Sequence, residues 1–266
     1  MKLEIHGALI NVVESGNPSA RPVIFVHGFP FSHTMWHNQL PFVAKEFRTV
    51  AYDIRGLGES SPGDGLFTVE GHVDDLIALM EHLQIEKTAI AGLSMGGYVA
   101  LRALERNPER FTAAVLCDTA SEADTNEGRL NRAKAIADVK QRGSAAFAED
   151  FLKRVFTPES FQRIPEEVAL IRDIITRTPP LVIAGMLLAL AARTDTTASL
   201  GTLRIPTLIL VGERDVVTPP QASRSMHERI VGSTLHVVPN AGHMSPMENP
   251  GAVNRHLMEF LRTTYK

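Results

Sequence analysis

The sequence predicts an α/β fold, a mostly parallel eight-stranded sheet flanked by helices with a helical cap inserted after the sixth strand. Three observations predict it. Short β-prone runs alternate with stretches of helical spacing. Several of those runs are apolar throughout, as strands covered on both faces must be. The alternation then fails once, between Ser121 and Ser199, where helical spacing continues without a strand.

In chain order, Leu3–Ile5 and Leu9–Val13 read as an opening hairpin-type pair, and Val23–Val26 as a buried strand ending at His27-Gly28. Further strands are expected at Thr49–Tyr52, Thr88–Ala91, Thr112–Leu116, Thr207–Val211 and Thr234–Val238. Between them Val69–Leu83 is helical, with Val73, Leu76, Ile77, Met80 and Leu83 on one face. In the interval without strands, Arg129–Lys140, Ser144–Val155, Pro165–Thr176 and Pro180–Ala192 read as consecutive helices. They carry more aliphatic and aromatic side chains than surface helices need, and they follow the C-terminal end of a strand, where α/β proteins bind ligands. The expected organisation is therefore a core of residues 1–120 and 201–266 interrupted by a cap or lid of residues 121–200.

Composition narrows the function classes. The chain has 266 residues, 44% hydrophobic and 21% charged, with net charge −3, which suits a globular core rather than a disordered chain. The near-neutral balance gives no electrostatic reason to expect nucleic acid or an anionic membrane surface as partner, so a small molecule is expected. The longest apolar run, Leu181–Ala192, is too short for a membrane span, and the N-terminal residues lack an uninterrupted apolar signal core. A cytoplasmic location is the expectation. Cys117 is the single cysteine and lies in an apolar strand, where packing is its expected role.

The chemistry concentrates in Thr88–Leu101, which reads strand, tight turn, helix. Gly92-x-Ser94-x-Gly96 has the pattern of a nucleophile elbow, a serine at the apex of a strained turn with glycines where a Cβ would collide. A serine hydroxyl needs an adjacent base, itself oriented by an acid. Asp215 follows the strand Thr207–Val211, and His243 follows the strand Thr234–Val238, giving the order Ser, acid, His. Asp118, at the end of the Thr112–Cys117 run, is a rival for the acid, its alternative role being to start the connection to the cap. Oxyanion donors are expected from the amide of Met95 and from that of Phe29 in the loop His27-Gly28-Phe29-Pro30, where His27 is expected to fix the loop rather than act as base. No metal-binding pattern is present, and no cofactor is expected.

His27-Gly28-Phe29-Pro30, Asp53-Ile54-Arg55-Gly56-Leu57-Gly58-Glu59-Ser60, Gly92-Leu93-Ser94-Met95-Gly96-Gly97, Gly212-Glu213-Arg214-Asp215 and Ala241-Gly242-His243 together resemble the α/β-hydrolase superfamily over the whole chain. Gly-Leu-Ser-Met-Gly-Gly and Asp118-Thr119-Ala120 before a short cap are most similar to the 3-oxoadipate enol-lactonase and small carboxylesterase branch. The resemblance implies Ser94 as nucleophile, Asp215 as acid, His243 as base, and the Phe29 and Met95 amides as oxyanion hole. A serine rather than an aspartate at the elbow disfavours dehalogenation and epoxide opening and points to hydrolysis of a small ester or lactone. Perhydrolase or haloperoxidase-type chemistry and carbon–carbon hydrolysis use the same triad and remain alternatives, as does a ligand receptor with slow turnover. Trp36, Phe151 and Met186 are expected at the substrate pocket. Arg129, Arg132 and Arg193 are expected to be solvated or to meet a substrate carboxylate.

Overall fold

A computed structural model describes residues 1–264. Eight strands form one sheet in the order β1-β2-β4-β3-β5-β6-β7-β8. They are β1 (Lys2–Ile5), β2 (Ala8–Ser15), β3 (Pro22–Val26), β4 (Arg48–Tyr52), β5 (Thr88–Leu93), β6 (Phe111–Cys117), β7 (Thr207–Gly212) and β8 (Thr234–Val238). The expected opening pair is an antiparallel hairpin, and β2 also pairs antiparallel with β4; every other pairing is parallel. Strands β5 and β7 are buried along their full length, which accounts for their unbroken apolar runs.

Among the described residues ten α-helices surround or interrupt the sheet: α1 (Leu40–Val43), α2 (Val69–His82), α3 (Met95–Arg106), α4 (Asn126–Val155), α5 (Ser160–Arg163), α6 (Pro165–Arg177), α7 (Pro180–Ala191), α8 (Pro220–Arg229), α9 (Ser245–Glu248) and α10 (Pro250–Thr264). The segment between β6 and β7 contains only helices and turns, as the failed alternation predicts. The two helices expected at Arg129–Lys140 and Ser144–Val155 run end to end as α4. Gly143, at φ 82° and ψ 172°, breaks the helical backbone between them. Among the described residues no single helix is long and apolar enough to cross a membrane.

The parallel register aligns the strand ends. Val26 pairs with Gly92 and Tyr52, Leu93 with Cys117, and Gly212 with Val238. Consequently His27, Asp53, Ser94 and Asp118, each the first residue after its strand, emerge on one edge of the sheet. The chain reverses its winding between β3 and β5, and the crevice outside such a reversal is where open α/β sheets bind ligands.

Helix α2 buries more than its apolar stripe. Asp75 is buried and accepts two 2.8 Å bonds from the Arg55 guanidinium, so the charge enters the interior already paired. His72 is 1% exposed, and neither ring nitrogen has a hydrogen-bond partner among the described residues. Burial pushes its pKa down to about 4. The native state therefore refuses a proton that the unfolded chain accepts below about 6.5, and stability falls as pH drops from about 6.5 to 4. His72→Met should flatten that part of the acid limb, recovering about 3 kcal/mol by pH 4, as measured by urea unfolding from pH 7 to pH 4. An unchanged slope would show that His72 does not contribute to it.

Candidate active site

Ser94 sits between β5 and α3 at φ 53° and ψ −115°, a conformation that costs an L-residue about 1–3 kcal/mol. The surroundings enforce it. A Cβ on Gly92 would lie 2.3 Å from the Gly96 carbonyl oxygen, and one on Gly96 would lie 2.2 Å from that of Val26. Strand and helix thus cross with no room for side chains, leaving Ser94 as the residue at the apex. Its amide donates to Cys117 O at 3.0 Å, while its carbonyl accepts from the Thr119 hydroxyl at 2.8 Å.

Asp215 and His243 meet as buried partners, with His243 Nδ1 2.8 Å from Asp215 Oδ2. Asp215 also accepts from the Val217 and Thr218 amides at 2.8 and 3.0 Å and from the Thr218 hydroxyl at 2.8 Å. Burial opposes its charge, but the neighbouring His243 and these donors together hold the carboxyl below its ordinary range. Ser94 and His243 line one pocket. Neither Ser94 Oγ nor His243 Nε2 is hydrogen-bonded among the described residues; such contacts commonly tighten only with substrate in place.

Asp118 has a different partner set. It is fully buried, accepts from the Gly212 amide at 2.7 Å and from the Ser245 hydroxyl at 2.5 Å, and does not bond His243. Burial, reinforced by the charge of Asp215, raises its pKa well above the ordinary value. It ties β6 to β7 and to the start of α9, two residues after His243.

The loop after β3 is fixed as expected. His27 is fully buried; Nδ1–H donates to Gly28 O at 2.8 Å and Nε2 accepts from the Ile54 amide at 2.9 Å. Burial lowers its pKa to about 4, so the neutral ring suits this two-sided role. The Phe29 and Met95 amides donate to no acceptor among the described residues, and Met95 opens α3, where the helix dipole favours negative charge. Asp53 supports the same loop by accepting from the His33 amide and ring at 2.7 and 2.8 Å, from Glu59 N at 2.9 Å and from Asn11 at 2.9 Å.

The pocket has a volume of about 320 Å³. Its apolar wall contains Phe29, Phe147, Phe151, Leu187 and Leu190; Phe147 and Phe151 stack at 5.3 Å and Phe29 meets Phe151 edge-on at 5.9 Å. Its polar wall contains Asp124, Asn131, Arg132 and Arg193. Both arginines hydrogen-bond Asp124, and Arg193 lies 4.3 Å over the Tyr98 ring, so these two are structurally paired rather than simply solvated.

Of the side chains expected at the pocket, Phe151 is there and Trp36 and Met186 are not. Trp36 is 1% exposed and packs edge-on against Phe25 at 5.3 Å, in the core. Met186 is fully buried on α7 while Leu187 and Leu190 face the pocket. Helix α7 is apolar around most of its circumference, so spacing does not reveal which face meets the cavity. Sequence reasoning also missed Thr218, Tyr98 and Asp124. Thr218 alone had a local signal, since an Asp in a loop commonly bonds the backbone two residues on and draws the next residues around its carboxylate. Among the described residues no group of three or more His, Cys, Asp or Glu is placed to hold a metal ion.

Residues 21–250 match the alpha/beta hydrolase fold family, and the chain belongs to it. It is 30% identical to 3-oxoadipate enol-lactonase 2 of Acinetobacter baylyi, covering 92% of this chain and 90% of that protein. It is also 30% identical to the putative non-heme bromoperoxidase BpoC of Mycobacterium tuberculosis, covering 95% and 98%. Among solved structures, a thermophilic esterase from Thermogutta terrifontis with malate bound superposes with TM-score 0.95 at 35% identity, covering 100% of both chains.

The Asp53 hub gives a pH prediction. Burial alone would raise its pKa, but the bond from His33, the nearby imidazoles and the Glu59 amide bring it to about 2. A depressed carboxyl stabilises the fold above its unfolded pKa and loses that contribution as pH falls from about 4 toward 2. Asp53→Asn should therefore cost about 2 kcal/mol at pH 7, with the deficit shrinking below pH 4 in denaturant titrations. A deficit independent of pH would contradict the assignment.

Proposed function

We propose that the protein is a serine hydrolase that cleaves a small carboxylic ester or lactone through Ser94, His243 and Asp215. The observation that carries this reading is the buried 2.8 Å His243–Asp215 pair opening onto the same pocket as a serine at a strained strand-to-helix apex. The lactonase and esterase relatives support the substrate class.

In the proposed reaction His243 takes the Ser94 proton as Oγ attacks the acyl carbon, and Asp215 stabilises the resulting imidazolium. The developing oxyanion is met by the Phe29 and Met95 amides, each worth about 3–4 kcal/mol by deletion in comparable sites. His243 returns its proton to the leaving alcohol, opening the ester or lactone ring. It then activates a water that releases the acid from the acyl-enzyme. Residues 121–200 act as the cap: α4 and α7 supply Phe147, Phe151, Leu187 and Leu190 to the wall facing Ser94. The aromatic wall favours an apolar acyl or alcohol group of modest size.

A peracid-forming reaction is a second reading, favoured by the bromoperoxidase relative. It uses the same acyl-enzyme, with hydrogen peroxide replacing water in the second step.

Ser94→Ala should lower kcat/KM on p-nitrophenyl acetate by at least about 1,000-fold while leaving the unfolding free energy within about 1 kcal/mol of the parent's. Retained esterase activity would overturn the reading. Parallel assays with an enol-lactone and with acetate plus peroxide distinguish the two reactions by their relative kcat/KM.

A further inference from the structure

One buried carboxylate near the site is not used by the chemistry above. Glu248, at the end of α9, is 4% exposed and takes part in no ion pair among the described residues. A carboxylate taken out of water without a cation must be compensated by donors. It has four. Oε1 accepts from Thr157 N at 2.8 Å, Thr157 Oγ1 at 2.8 Å and Ser160 Oγ at 2.6 Å, and Oε2 accepts from Gly242 N at 2.6 Å.

The two oxygens face different parts of the molecule. Thr157 and Ser160 belong to the helical segment between β6 and β7, directly after α4, whereas Gly242 immediately precedes His243. The residue after the histidine is held across the same seam, since Met244 N donates to Val155 O at 3.2 Å. Arg163 adds bonds to Asn240 O at 3.1 Å and to the Glu248 carbonyl at 3.0 Å. Both backbone neighbours of His243 are thus pinned, one by the inserted helices directly and one through Glu248. The ring itself is held through Nδ1 alone, by Asp215 at 2.8 Å and Thr218 at 3.3 Å. A ring fixed at one nitrogen still pivots about it, so where Nε2 stands relative to Ser94 depends on where the backbone at residues 242–244 is held.

We propose that Glu248 is a positioning residue for His243, locking the Gly242 amide to the inserted helices and so setting the reach of Nε2 toward Ser94. The proposal rests on His243 being the base. It also requires a carboxylate rather than an amide. Glutamine presents one oxygen only, so either Gly242 N–H or Thr157 N–H faces an NH2 group and loses its acceptor, although the two hydroxyls are free to turn and accept.

The test compares the parent protein with Glu248→Gln, Ser160→Ala and His243→Ala. It measures kcat and KM on p-nitrophenyl acetate and the single-turnover rate at which a fluorophosphonate modifies Ser94. Glu248→Gln should lower kcat and the phosphonylation rate together, on the order of 10- to 100-fold, because misplacing a reacting group by about 1 Å can cost about 100-fold. Ser160→Ala, which removes one donor from Oε1 and keeps the carboxylate, should lower both by a smaller factor. It carries the test alone if the glutamine variant does not fold. A role confined to gluing the inserted helices down would instead raise KM. The proposal is overturned if kcat is unchanged, or if kcat falls while the phosphonylation rate does not. If His243→Ala keeps full activity, the functional reading itself fails; if it is inactive while the other variants behave as the parent, only the role of Glu248 fails.

Discussion

The arrangement depends on a single steric constraint, the crossing of β5 and α3 at Ser94. A strand buried on both faces turns into a helix over one residue, and the space between Gly92, Gly96 and the end of β3 admits no Cβ. That crossing drives Ser94 to φ 53° and leaves its side chain at the sheet edge. It also starts α3 directly behind the serine, so the Met95 amide and the positive end of the helix dipole arrive at the same spot. Strain at one residue and polarity at its neighbour are two consequences of one backbone path.

Around this point the sheet edge carries buried carboxylates with distinct partners. Asp53 gathers donors from the loop after β3, Asp118 joins the end of β6 to β7 and α9, Asp215 holds His243, and Glu248 joins the histidine loop to the inserted helices. Their environments set different charges. Donors and a neighbouring imidazole keep Asp215 ionised, whereas burial beside Asp215 pushes Asp118 toward its neutral form.

The sequence was most readable where backbone sterics and period dominate. Eight strands, the helical interval between β6 and β7, the break near Gly143 and the glycine-flanked serine all follow from local pattern, and each has its counterpart in the structure. The order of Ser94, Asp215 and His243 located strand ends that the parallel register then brings to one edge. What spacing did not reveal was facing. Trp36 and Met186 read as pocket residues because one follows the loop after β3 and the other lies in the inserted helices, yet both are buried in the core. On α7 nearly every side chain is apolar, so no periodic signal separates Met186 from Leu187. The partners of buried charges were equally invisible: Arg55 with Asp75 and Glu248 with Thr157 join residues 20 and 91 positions apart, which only the tertiary fold brings together.

In the proposed mechanism Ser94 carries the acyl group during turnover. The most direct measurement is to quench the enzyme with acid during steady-state hydrolysis of p-nitrophenyl acetate and map the acetylated peptide by mass spectrometry. A 42 Da increment, the mass of an acetyl group replacing one proton, should be localised to Ser94 and be absent when His243 is replaced by alanine. Acetylation of a different side chain, or turnover with no acetyl-enzyme on Ser94, would contradict it.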